Sequence, residues 1–326
     1  MAEPQVSRPH WSQLEEKGTY WGIRLLFGVY SILGRAFLAP FLYPVVFYFF
    51  LFGKLARKSS RAYLQRVMNV RQEAVRVSNW HSFRHFMVFA QSILDKIGSW
   101  AGKIQLTQVN FPTRGNMLAA VKSGKGGILI GAHIGSLEVG RALSKEMDDF
   151  RMTVLVHTSH AENFNRVLQR INPDSQAELM QVTTIGPDTA MILKEKIEQG
   201  EFVAILGDRT PVASQGREVW LPFLGRDAPF PQGPYILAGV LECPLYMLTC
   251  VRGERGFDVY FDRIAERVIL PRKTRQRAIT EYAQLYADKL ADYVKRYPYQ
   301  WFNFFDFWHE FDADNEQSVS EVNESS

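Results

Sequence analysis

Cysteine is scarce in this sequence: Cys243 and Cys250 are the only two in 326 residues. They supply neither a disulfide framework nor a metal-ligand spacing, so a reducing compartment is the natural expectation. Other signatures are missing as well. There is no CxxC, no HExxH and no G-x-S-x-G elbow, which removes thiol redox chemistry, zincin-type proteolysis and the usual serine nucleophile. The glycine-rich "SGKGGILIG" has neither the P-loop spacing nor the dinucleotide GxGxxG. Residues 310–326 contain no Lys or Arg, and residues 36–53 carry no charge at all.

These gaps organise the rest. With 46% hydrophobic residues the chain can bury a large core. The acids Glu310, Asp312, Asp314, Glu316, Glu321 and Glu324 crowd a Ser-rich end that reads as a disordered tail. Residues 1–309 then hold 38 basic against 28 acidic side chains, a balance of +10. A basic body suits an anionic partner: nucleic acid, a membrane surface or an acidic carrier protein.

The uncharged run "AFLAPFLYPVVFYFFLFG" has eight aromatics in eighteen residues. As a helix it would reach about 27 Å, just short of a bilayer core, and Pro40 and Pro44 would kink it. A buried core helix is the competing reading. Eight aromatics beside Lys54, Arg57, Lys58, Arg61 and Arg66 fit a bilayer better, with the cationic side toward the cytoplasm. Whether the run spans the membrane or lies in it stays open. Residues 11–34 and 60–98 also read as helical. In "HSFRH", His81 and His85 fall one turn apart, but with no third ligand nearby a core or interfacial role is preferred over metal.

From about residue 104 short β-rich runs alternate with helix-length polar stretches. Strands are expected near "IQLTQVNF", "GGILIGA", "MTVLVHT", "QVTTIG", "FVAILGD", "PLYMLTCV" and "FDVYFDRI". Helices are expected near 114–123, 136–148, 160–171, 188–199, 233–242 and 273–296. The class is α/β: a mainly parallel central sheet flanked by helices, behind an N-terminal hydrophobic membrane-associated helical segment. The organisation expected is 1–98 helical and membrane-associated, 99–309 α/β, and 310–326 tail.

In open α/β sheets reactive groups gather beyond the carboxyl ends of the strands, and two constellations belong there. "GGILIGA" ends at His133, and "GAHIGSLEVG" continues through a turn at Gly135 to a helix with Ser136 as its N-cap and Glu138 in its first turn. Folded back, the Glu138 carboxylate could hold one imidazole nitrogen and leave the other as a base. A strand-end histidine beside a dipole-favoured first-turn acid explains the residues equally well. His157 and His160 lie in a strand-to-helix loop with no obvious acid partner. The second constellation begins where "EFVAILGD" ends, at Asp208-Arg209, and runs through a Gly/Pro-rich loop of about 25 residues. A loop so long inside a compact domain is usually functional. For Arg209 alone a surface ion pair is the plainer alternative.

The run "HIGSLE" resembles the H-x4-D/E motif of glycerolipid and lipid A acyltransferases. The ordered block "LPFLG" to "APFPQGPYILA", following a strand that ends in Asp, is similar to that of the late lipid A acyltransferases in particular. "YPYQWFNFFDFW" resembles their Trp-rich ending. The resemblance covers roughly residues 20–310, though only these blocks are specific. It implies that His133 is a general base on an acceptor hydroxyl, oriented by Glu138, and that Asp208 is the family's strand-end acid. Arg170 falls where the family often has a helix-terminal Arg. The family tends to have Asp-x-Asp where this chain reads Asp208-Arg209-Thr210, which puts lipid A itself in doubt as the acceptor.

The implied enzyme moves a fatty acyl group from an acyl carrier protein or CoA thioester to a hydroxyl, or an amine, of a lipid or glycolipid. It uses no metal and no cofactor beyond that thioester, binds no nucleic acid, and works at the cytoplasmic face of the bacterial inner membrane. Arg209 or Arg170 would stabilise the oxyanion or hold an acceptor phosphate. A non-catalytic membrane-bound scaffold on the same fold, or a membrane-surface ester hydrolase, would preserve much of the pattern.

Overall fold

The computed structural model describes residues 20–100, 102–139, 150–156, 177–181, 186–210 and 216–309. Three helices come first: α1 (Tyr20–Phe52), α2 (Lys54–Val70) and α3 (Asn79–Trp100). Helix α1 runs through Pro40 and Pro44 and breaks instead at Gly34, whose φ of 74° suits a residue without Cβ. The segment after the break, Gly34–Phe52, has mean hydropathy 1.7 and is 11% buried. That degree of exposure is not the pattern of a core helix. Phe41, Phe47, Tyr48, Phe49 and Phe52 are all exposed. The opposite side seats Leu38 and Val46 against Leu94, Ile97, Phe86, Met87 and Ala90 of α3.

The single helix expected over 60–98 is two. Gln72, at φ 57°, turns the chain after α2, and His81 Nδ1 accepts the Ser78 backbone N–H (3.1 Å) as α3 begins. Periodicity persists across this turn because both helices bury apolar faces, so pattern alone could not divide them.

The strands are β1 (Val109–Asn110), β2 (Ile128–Gly131), β3 (Met152–Val156), β4 (Ala177–Gln181), β5 (Phe202–Leu206), β6 (Glu218–Phe223), β7 (Arg226–Pro231), β8 (Leu245–Arg252) and β9 (Phe257–Ala265). Seven form one sheet in the order β1-β9-β8-β2-β5-β3-β4. Every pair in it is parallel except β8–β9. Helices α4 (Arg114–Lys122), α5 (Pro187–Glu198), α6 (Gly233–Leu241) and α7 (Arg275–Arg296) follow the expected positions closely. Ile128 and Ile130 of β2 join the core that holds α5, α6 and α7, while Leu129 joins the core under α4. Burial on both faces explains the continuous apolar run of β2.

Three expectations need correcting. Of "IQLTQVNF" only Val109–Asn110 is strand, with a 3-10 turn before it at Leu106–Gln108. The strand expected at "QVTTIG" lies earlier, at Ala177–Gln181, with residues 182–185 outside the described residues. The long Gly/Pro loop is largely an antiparallel hairpin, β6–β7, in which Trp220 pairs with Pro229 and Phe223 with Arg226. The helix expected over 160–171, most of that over 136–148, His157, His160 and residues 310–326 also lie outside the described residues. Cys243 and Cys250 are free and buried, and burial pushes the Cys243 thiol up to about 11.

Edge strand β1 covers only Phe257 and Asp258 of the nine-residue β9. Farther along, Thr113 Oγ1 accepts the Phe261 N–H (2.6 Å) and Asn116 Nδ2 donates to the Phe261 carbonyl (3.3 Å).

Candidate active site

Strands β2 and β5 are parallel neighbours, and their register pairs Gly131 with Leu206. His133 and Asp208 each lie two residues beyond that last pair. They therefore leave the sheet side by side at its carboxyl end, and they meet. Asp208 Oδ1 accepts the His133 Nδ1–H at 2.9 Å, while Oδ2 accepts the His133 backbone N–H at 2.8 Å. The indole of Trp301 donates a third bond to Oδ2 at 2.9 Å. Burial pushes the Asp208 carboxyl up, but the His133 charge and hydrogen bond, with Arg209 and the Trp301 indole, outweigh it and leave it at about 2. An ionised carboxylate only accepts, so Nδ1 carries a proton toward Asp208, and Nε2 is the ring nitrogen left to take up or give a proton. His133 is 31% exposed in its side chain, against 1% for Asp208. Among the described residues only Nδ1 of the ring is engaged by a hydrogen bond.

The backbone around His133 is fixed from two sides. Gly135 N–H donates to the Gln300 carbonyl (2.8 Å), Phe302 N–H to the His133 carbonyl (2.8 Å), and Ser136 N–H to the Cys250 carbonyl (2.8 Å). Gly135 has φ 63°, and a Cβ there would fall 1.9 Å from the Cys250 carbonyl oxygen. Only glycine fits this turn.

Glu138 does not hold the ring. Its carboxylate pairs with Lys96 of α3 at 2.5 Å, and its carbonyl accepts the Ser99 hydroxyl at 2.6 Å. The reason lies in the register: the Nδ1 position is already filled by the acid at the end of the neighbouring strand. Arg209 turns toward the aromatic C-terminal segment. It donates to the Phe302 carbonyl at 3.0 Å and stacks over Phe305 at 5.2 Å. Burial lowers its pKa while Asp208 raises it. Arg170 lies outside the described residues. Sequence reasoning missed Trp301 as a partner of the site, although the aromatic run that contains it was visible. It also missed Lys96, which offers no signal beyond being one of many lysines.

His81 and His85 part company: His81 Nδ1 binds Ser78 at the exposed start of α3, and His85 is fully buried. Among the described residues no group of three or more His, Cys, Asp or Glu side chains could hold a metal ion.

The family described as bacterial lipid A biosynthesis acyltransferase matches residues 6–310. The chain belongs to that family. No curated protein was found to match it. Membership makes this a lipid acyltransferase fold of lipid A biosynthesis type, with an acyl donor and a lipid acceptor as its general substrates. The family is typically membrane-associated.

Proposed function

We propose that the protein transfers a fatty acyl group from an acyl carrier protein or CoA thioester to a hydroxyl of a membrane lipid or glycolipid, with His133 as general base. The bond between His133 Nδ1 and the buried Asp208 carboxylate supports this reading most directly. It sets the tautomer a base needs and stabilises the imidazolium that forms. In the reaction, Nε2 takes the acceptor's hydroxyl proton as the oxygen attacks the thioester carbonyl. The tetrahedral intermediate then collapses, the C–S bond breaks, and the thiolate leaves with the proton from Nε2. An amine acceptor would follow the same course.

Asp208 takes the orienting role in this scheme. With Nδ1 filled, Glu138 acts on substrate or through Lys96 rather than on the ring. Arg209 contributes charge near the site while it anchors the aromatic segment. The apolar Gly34–Phe52 helix and its basic flank bring the site to the cytoplasmic face of the inner membrane, where a lipid acceptor resides.

Lipid mass spectrometry of a deletion strain against its parent tests this. The expected result is loss of one acylated species and gain of its precursor one acyl chain lighter. An unchanged lipid profile removes the proposal. Release of free fatty acid from the thioester, with no acylated product, would instead assign hydrolysis.

A further inference from the structure

Trp301 presents two polar groups to two different places. Its indole N–H goes to Asp208, and its backbone carbonyl goes to His85 of α3, 2.9 Å from Nε2. A carbonyl only accepts, so His85 Nε2 carries the proton and Nδ1 is the acceptor. Nδ1 lies 3.0 Å from the Ser60 hydroxyl of α2, which must then donate. The Ser60 oxygen in turn accepts the Ser82 hydroxyl at 2.9 Å. Ser60, Ser82 and His85 are all 0% exposed. The chain of donors has one direction, from Ser82 through Ser60 and His85 to the Trp301 carbonyl.

The ring cannot slide. It stacks on Phe304 at 4.5 Å and lies against Tyr63 at 5.4 Å. Tyr63 also touches the Trp301 ring at 5.1 Å, and its hydroxyl donates to the Pro298 carbonyl at 2.6 Å. Burial holds His85 down to about 3, so it stays a neutral, one-way connector.

We infer that His85, locked by Ser60, is a positioning residue: it fixes Trp301 so that the Trp301 indole holds Asp208, and Asp208 holds His133, in the geometry of catalysis. The relay rests on the reading of His133 as the base. It gives helices α2 and α3 a part in acyl transfer beyond packing. A misplacement of the base by about 1 Å costs roughly 100-fold in rate, so a residue three hydrogen bonds removed can control turnover without touching substrate.

The test uses the full-length protein in detergent micelles. Lauroyl-thioester of acyl carrier protein serves as donor, the lipid extract of the deletion strain as acceptor, and thiol release as readout. His85→Leu is expected to lower kcat roughly 10- to 100-fold with the donor KM little changed. His85→Gln, which keeps a donor for Trp301 and an acceptor for Ser60, is expected to restore most of it. Ser60→Ala, a milder change that tolerates loss of the ring variants to misfolding, is expected to lower kcat a few-fold. The deciding measurement is coupling: in an Asp208→Asn background, His85→Leu and Ser60→Ala should cost almost nothing further. Losses that multiply in that background, or that track melting temperature with normal kcat per folded molecule, overturn the relay alone. Wild-type kcat in His133→Ala overturns the general-base reading and the relay with it.

Discussion

His133 has two ring nitrogens, and one is taken by a buried carboxylate. If the free one is the base, His133→Ala should cut kcat by roughly 10²–10⁴. Asp208→Asn should cost a comparable amount, because an amide can present a donor to Nδ1 and stabilise the wrong tautomer. The double variant should be scarcely worse than either single one, since groups acting as a unit are not additive. Glu138→Ala and Lys96→Ala should have smaller effects that resemble each other. Steady-state kinetics of all five variants checks the pattern, and a Glu138→Ala loss as large as that of Asp208→Asn would return the orienting role to Glu138. Asp208 also makes a stability prediction. Its folded pKa of about 2 lies below the ordinary 3.8, so its contribution is present above pH about 4 and is lost as pH falls through about 2. With 1.36 kcal/mol per unit that amounts to about 2 kcal/mol. Acid denaturation followed at several pH values should show this loss in the wild type and not in Asp208→Asn.

At the scale of elements, the turn after β2 is the most constrained piece of chain in the site. Gly135→Ala places a Cβ against the Cys250 carbonyl at a left-handed φ. It should destabilise the protein by about 1–3 kcal/mol and depress activity even in molecules that fold. An unchanged melting temperature would refute that account. The strand ending in His133 and the strand ending in Asp208 were both legible as apolar runs closed by a polar residue. Their adjacency was not, because register between distant strands leaves no mark in a single chain. A sequence reader pairs His133 with the acid five residues away. The fold pairs it with one 75 residues away. The hairpin β6–β7 was hidden for a different reason: Pro222, Pro229 and Pro231 signal a loop, yet a two-stranded ribbon accepts proline wherever its missing N–H faces away from the partner. Trp301 lay in an aromatic run whose composition predicts burial, and nothing in that composition says which indole reaches a carboxylate.

The whole molecule sets a folded α/β body beside a helix that leaves Phe41, Phe47, Tyr48, Phe49 and Phe52 exposed. Replacing Phe41, Phe49 and Phe52 together by Ser should shift the protein from vesicles of mixed phosphatidylethanolamine and phosphatidylglycerol to the supernatant on sedimentation. Raising the salt to about 1 M, where charges are screened beyond about 3 Å, should leave the wild type bound if the apolar helix carries the attachment. Release by salt alone would instead put the attachment on Lys54, Lys58 and Arg61. A protein gathered on a membrane meets its own copies at high local density, in fixed orientation, for long periods. An open β-edge would be a hazard there, since any copy could add its strand to the row of free N–H and C=O groups. At Phe261 of β9 both of those groups are already engaged, by the side chains of Thr113 and Asn116. Two side chains at the start of α4 thus occupy, at Phe261, the two backbone groups that a strand added from a neighbouring copy would need there.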